Sequence, residues 1–136
     1  MNNFLQDYQS FVQQTTSEPS KDTNIFYEKV NALEKETPKI NMALLITAGF
    51  GLSSETGEVN EIIKKALFQG KKLSEENIHH LKRELGDVIW YWINACTSLG
   101  FNPEEVILEN IAKLKNRYPE GHFTEFRSEN REKNDL

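Results

Sequence analysis

Two acidic clusters hold the residues in this sequence best suited to chemistry. The first is Glu55-Thr56-Gly57-Glu58, with Glu61 close behind; the second is Glu84-Leu85-Gly86-Asp87. Each reads acid-x-x-acid, and each falls inside an apolar stripe rather than on a solvated face. A carboxylate cannot stay ionised and unpaired in such a place without a heavy cost. Something must neutralise these groups, and two kinds of partner are open. One is a lysine or arginine, with Lys64, Lys65, Lys82 and Arg83 near enough in sequence. The other is a divalent cation. Acid pairs spaced i, i+3 on two facing helices bring four carboxylates to one spot, and such oxygen donors suit Mg²⁺ or Mn²⁺. Two pairs on adjacent apolar stripes favour the cation.

The elements that must position them are helices. A 3.6-residue period puts successive residues about 100° apart, which gathers Leu44, Ala48, Leu52, Val59, Ile62, Ile63 and Ala66 on one arc. Glu55 lies near the middle of that arc, Glu58 about 60° to one side, and Glu61 points away. This first long helix is expected from about Ile40 to Phe68, with Gly70 as its stop. Gly49 and Gly51 lie inside it at some cost, which close packing against a neighbouring helix would explain. The second long helix is capped by Ser74, with Glu75 and Glu76 at the positive end of its dipole. Its stripe is Leu81, Leu85, Val88, Trp92, Ala95 and Leu99, with Glu84 and Asp87 at the edge and Gly100 closing it.

Around this hairpin stand weaker elements. Phe4, Leu5, Tyr8, Phe11 and Val12 have the spacing of a short amphipathic helix, broken by the polar segment Thr15 to Lys21. A second helical pattern through Ile25, Phe26, Val30 and Leu33 ends before Thr37-Pro38. Asn102-Pro103-Glu104-Glu105 is a helix start, and the helix it opens runs to about Tyr118, stopped by Pro119. The expected fold is all-α, a helical bundle whose two long antiparallel helices carry an N-terminal arm and a C-terminal helix. One domain is expected over 1–136: an arm over 1–38, a helical core over 39–118 and an irregular tail over 119–136.

Composition narrows the function classes. The 136 residues suffice for one domain with a core. A net charge of −5 without a basic patch argues against a nucleic-acid polymer as partner. Met1 to Gln14 lacks the basic and then apolar pattern of a secretory signal. No apolar run reaches the roughly 20 residues that span a bilayer, and the single Cys96 suits a reducing compartment. A cytoplasmic protein with no membrane association is expected. Trp90 and Ile93 give the second long helix another apolar face. Such a helix is covered on all sides, either by a second copy of the chain, which we expect, or by the N-terminal arm.

The sequence also resembles a known family. Glu55-x-x-Glu58, twenty-five residues and then Glu84-x-x-Asp87 is similar to the signature of the MazG-like all-α nucleoside triphosphate pyrophosphohydrolases. Gly51 to Val59 and Glu84 to Tyr91 resemble the two core helices of that family. Asn110-x-x-Lys113-Leu114-x-x-Arg117-Tyr118-Pro119 and Arg127-Ser128-x-Asn130-Arg131 resemble its C-terminal region. The resemblance covers about Ala43 to Arg131. It implies hydrolysis of a nucleoside triphosphate between the α- and β-phosphates, Mg²⁺ dependence with Mn²⁺ as a substitute, and a homodimer or a tetramer built of dimers.

By matching position, the resemblance makes Glu55, Glu58, Glu84 and Asp87 metal ligands. Glu55 and Glu58 are then the candidate catalytic groups, Glu55 as the base, because its mid-stripe position should raise its pKa. Asn110, Lys113, Arg117 and Tyr118 become candidates for substrate binding, with Lys113 and Arg117 one turn apart and able to grip phosphate oxygens. Lys71 and Lys72 could reach a phosphate from the inter-helix loop. Tyr91 and Trp92 could stack on a base, or serve as core.

Two rivals stand beside this reading. A di-iron bundle needs two Glu-x-x-His motifs, whereas Glu76-x-x-His79 occurs once and His122 lies in the tail. A non-catalytic helical interaction module would use the acidic pairs as structural ion pairs.

Overall fold

The computed structural model describes residues 3–130, and among them every regular element is a helix. The chain divides into two compact units, with the boundary between Met42 and Ala43.

The first unit carries α1 (Phe4–Thr15), α2 (Glu18–Lys21) and α3 (Thr23–Glu36). Along one side of α1, Phe4 stacks on Tyr8 and Tyr8 on Phe11, as their i, i+3/i+4 spacing dictates. The segment Thr15 to Lys21 does interrupt the helical run, but it holds α2, a single turn absent from the sequence expectation. Pro19 in its first turn explains it, because proline comes with the helical φ and has no N–H to lose there. Asp22 then caps α3, its carboxylate accepting from the N–H groups of Asn24 at 2.7 Å and Ile25 at 3.3 Å.

The second unit holds the rest: α4 (Met42–Phe68) from its second residue on, α5 (Glu75–Ser98), α6 (Pro103–Arg117) and α7 (Glu125–Glu129). The α4 helix begins two residues later than expected. The Ile40 N–H donates to the Thr37 carbonyl at 2.9 Å, closing a turn through Pro38 that precedes the helix. At the other end Gly70 takes a left-handed φ of +66°. Ser74 caps α5 by accepting from the Asn77 N–H at 3.3 Å. At its C-terminus, Gly100 donates to Thr97 O and Phe101 to Cys96 O, while Gly100 sits at φ +71°. This hydrogen-bond pair needs a left-handed residue, and glycine supplies it without strain. Asn102 caps α6 by accepting from the Glu104 N–H at 2.9 Å, with Pro103 opening the helix.

The tail differs from the irregular segment expected of it. Thr124 accepts from the Arg127 N–H to cap α7, and Arg127 Nη2 lies 3.1 Å from Glu120 Oε1. Arg131, part of the C-terminal motif, lies outside the described residues.

The pairing of α4 with α5 can be read from three places along it. Gly51 faces Tyr91; Glu55 meets Glu84 and Asp87; Glu58 meets His80 and Glu84. Numbers rise on one helix as they fall on the other, so the two long helices are antiparallel. Gly51 permits the approach: a Cβ there would overlap the Tyr91 ring. Gly49, which had invited the same explanation, faces open space.

Candidate metal centre

The α4–α5 seam gathers the two acidic pairs. Ligand atoms of Glu55, Glu84 and Asp87 lie within 4.8 Å of one another, and so do those of Glu58, His80 and Glu84. Glu84 belongs to both groups. It is also the most deeply placed, at 7% exposure, whereas Glu55 is half-buried and Glu58 and Asp87 are exposed. The helical wheel centres the cluster on Glu55 and leaves Glu84 at a stripe's edge. The structure centres it on Glu84. Leu85, assigned to the same stripe, is 55% exposed instead. The turn of α5 that meets α4 is thus rotated toward Glu84, and an isolated wheel cannot show that rotation.

The electrostatics follow from this geometry. The Glu55 carboxyl is held above the ordinary carboxylate range, first by desolvation, then by a hydrogen bond with the Glu84 side chain. The neighbouring charges of Glu58, Glu84 and Asp87 push the same way. Two carboxyl groups can hydrogen-bond only with a proton between them. The cluster therefore demands positive charge: a proton shared by Glu55 and Glu84, or a cation in its place.

The two lysines of α4 are directed elsewhere. Lys64 and Lys65, the nearest candidates on α4, pair with Glu61, Lys65 Nζ lying 3.1 Å from its Oε1. These contacts hold the Glu61 carboxyl below its usual range, Lys64 contributing most. Glu61 stands apart from the cluster, as its direction on the helix requires. The donors that remain are hard oxygens with one imidazole. Facing donors of an octahedral cation lie about 4.2 Å apart, twice the roughly 2.1 Å bond length, which falls inside the 4.8 Å that bounds each donor group. The residues fit a divalent cation.

His80 was missed by the sequence reading. Its Nε2 lies 2.7 Å from Glu84 Oε1, although the histidine weighed for a motif was its neighbour His79. A signal was available, since His80 stands four residues before Glu84 and hence on the same face of α5.

The other candidate residues fall elsewhere. Asn110 and Lys113, with Glu109, Val106 and Ile107 from α6 and Trp92 from α5, line a cleft of about 540 Å³. Its lining contains none of the four carboxylates. Arg117 ends α6, and Tyr118 caps it through its N–H to Leu114 O, its ring 5.7 Å from that of Phe123. Tyr91 lies over Gly51 and meets Trp90 edge-on at 4.8 Å. Lys72 gives its carbonyl to the Asn77 side chain at 2.8 Å, bracing the loop before α5.

An all-α unit with carboxylate pairs on two antiparallel helices is a class of scaffold suited to a hard cation. Comparison with known sequences makes the class specific. The family description "MazG nucleotide pyrophosphohydrolase domain" matches residues 46–122, more than half of the chain. The chain belongs to that family. The Gene 37 protein of Mycobacterium phage L5 is 35% identical over 72 residues, covering 52% of this chain and 63% of that protein. The match thus spans under two thirds of the relative's length. No solved structure gives a significant match. Among the described residues no helix is long and apolar enough to cross a membrane.

Proposed function

We propose that the chain is a divalent-cation-dependent nucleoside triphosphate pyrophosphohydrolase, with Mg²⁺ as the cation and Mn²⁺ as a substitute. It would cleave between the α- and β-phosphates, giving a nucleoside monophosphate and pyrophosphate. The convergence of Glu55, Glu58, Glu84 and Asp87 on one seam, with Lys64 and Lys65 directed to Glu61 instead, carries this reading.

Glu55, Glu58, Glu84 and Asp87 would hold the cation. When bound, it supplies the positive charge that lets a triphosphate approach an acidic seam and that polarises the attacking water. In the reaction the water oxygen bonds to phosphorus at the α–β anhydride, and the bridging oxygen departs with the leaving group. The water's proton would go to Glu55, whose carboxyl pKa is raised by desolvation and by its hydrogen bond with the Glu84 side chain. Glu58 helps to hold and orient the water. Asn110 and Lys113 offer a hydrogen-bonding amide and a charge beside the Trp92 ring, a combination suited to a phosphate or sugar next to a base. Arg117 and Tyr118 extend that face along α6.

Self-association belongs to the same reading. Across the described residues the buried apolar side chains are Ala48 and Cys96, while Ile89, Trp90 and Ile93 stand exposed along α5. So small a core does not offset the conformational entropy of folding. A second copy packed on α5 would complete it, as a homodimer or a dimer of dimers.

The test is a panel of nucleoside triphosphates with Mg²⁺, scored for products. Monophosphate with pyrophosphate is expected. Orthophosphate as the first product would contradict α–β cleavage, and no turnover together with no Mg²⁺-induced rise in melting temperature would favour a non-catalytic interaction module.

A further inference from the structure

The two donor groups of the seam differ in chemistry. Glu55, Glu84 and Asp87 offer oxygens alone, whereas Glu58, His80 and Glu84 add an imidazole nitrogen. His80 is exposed over 52% of its side chain, and its ring turns toward the buried Glu84. Its Nε2 sits 2.7 Å from Glu84 Oε1, close to the roughly 3.0 Å that separates adjacent donors around an octahedral cation. Glu84 is more than nine-tenths buried and has two carboxylate oxygens, so it can serve both groups at once. Glu58 comes from the opposite helix, and the mixed group therefore clamps α4 to α5 just as the all-oxygen group does. Imidazole donors favour transition-metal dications, while Mg²⁺ prefers oxygen and water.

We propose that His80 is the nitrogen ligand of a second cation position, Glu58–His80–Glu84, beside the all-oxygen position Glu55–Glu84–Asp87. The mixed position takes a transition-metal dication in preference to Mg²⁺. This rests on the reading of the carboxylate seam as a cation site, and the experiment separates the two claims.

The full chain is titrated with Mn²⁺ and followed by electron paramagnetic resonance, with Mg²⁺ as competitor. Pulsed measurements on the bound Mn²⁺ then look for coupling to a histidine ring nitrogen. The wild type and His79→Gln should show that coupling, and His80→Gln should lose it. The ratio of Mn²⁺ to Mg²⁺ affinity should also fall in His80→Gln by at least the roughly tenfold that even a ligand's outer partner is worth. Circular dichroism checks that the variant keeps its helices. Labelling histidine with ¹⁵N in the wild type shifts the coupling frequency and gives the same answer without any substitution. Bound Mn²⁺ with no histidine coupling, or coupling that survives in His80→Gln, overturns the proposal and leaves the carboxylate site standing. No bound Mn²⁺ at all overturns both.

Discussion

Glu55 and Glu61 lie six residues apart on α4, yet their carboxyls are pushed in opposite directions. Lys64 and Lys65 stand one turn beyond Glu61, fold back on it and hold it ionised. Glu55 faces the other helix, where desolvation and the acids Glu84, Glu58 and Asp87 oppose its charge. The first arrangement is complete within its own helix. The second is electrostatically unfinished. A protein that needed merely to tie two helices together would place a lysine where Glu84 stands. The seam is better understood as a holder for something positive.

The sharpest way to break this contrast is to neutralise acids in each region separately. Glu84→Gln together with Asp87→Asn takes donors from both groups of the seam. Cation binding should be lost, and turnover should fall by more than the roughly 100-fold upper range for a ligand's outer partner. The rise in melting temperature with Mg²⁺ should vanish too, a rise equivalent to about 2.7 kcal/mol at a hundred times the dissociation constant. Glu61→Gln should leave both the Mg²⁺ response and the turnover as they are. Differential scanning fluorimetry with and without Mg²⁺ reads the two side by side, and equal responses would erase the distinction.

The same contrast has a signature in pH. With chelator present, the folded state keeps a proton on Glu55 over a range where the unfolded chain has lost it. Stability is then lost as pH rises from the ordinary carboxylate range through the raised value. Glu61 has the opposite sign: its lowered pKa gives stability that is present above the ordinary value and lost as pH falls. Glu55→Gln should therefore gain melting temperature over the wild type at about pH 8, with the gain shrinking toward about pH 4. Glu61→Gln should lose melting temperature at neutral pH and approach the wild type in acid. Because a cation displaces the shared proton, the wild-type Mg²⁺ response should also grow with pH across the first window. A pH-independent difference between Glu55→Gln and wild type would show that the carboxyl is not strained by its neighbours.

Much of the frame is legible in sequence because it is decided locally. Ser74, Asn102-Pro103 and Gly100 fix helix ends through hydrogen bonds that close within a few residues. The stripe on α4 was readable in large part: Ala48 is buried and Leu44, Leu52, Val59, Ile62 and Ala66 are half-buried, whereas Ile63 is exposed. What sequence alone does not carry is the rotation of one helix against its neighbour. That rotation turns Leu85 outward, sinks Glu84 to the centre and brings His80 rather than His79 to the cluster. The single turns α2 and α7 escaped for a different reason. Helices that short have no periodicity to detect, and only Pro19 and Thr124 mark their starts.

The finest distinction concerns three glycines of α4 and α5. Gly51 lies under the Tyr91 ring, whereas a Cβ at Gly57 or Gly86 would meet nothing within 4 Å. If helix propensity alone mattered, alanine at any of them would stabilise the protein by about 0.5–1 kcal/mol. At Gly51 the overlap with Tyr91 should reverse the sign, since overpacking costs about 1–3 kcal/mol. Forcing the helices apart there should also weaken Mg²⁺ binding, because Glu55 sits one turn further along α4. Gly57 and Gly86 lie between the members of each acid pair in sequence but, at about 100° per residue, on the opposite face of each helix. In the isolated chain Gly57→Ala and Gly86→Ala should stabilise by the propensity increment. Nucleotide turnover then reads what else approaches: a loss of kcat/KM alongside a higher melting temperature would place substrate, or a second copy, against those bare turns. Unchanged turnover with higher stability would mean that nothing approaches them.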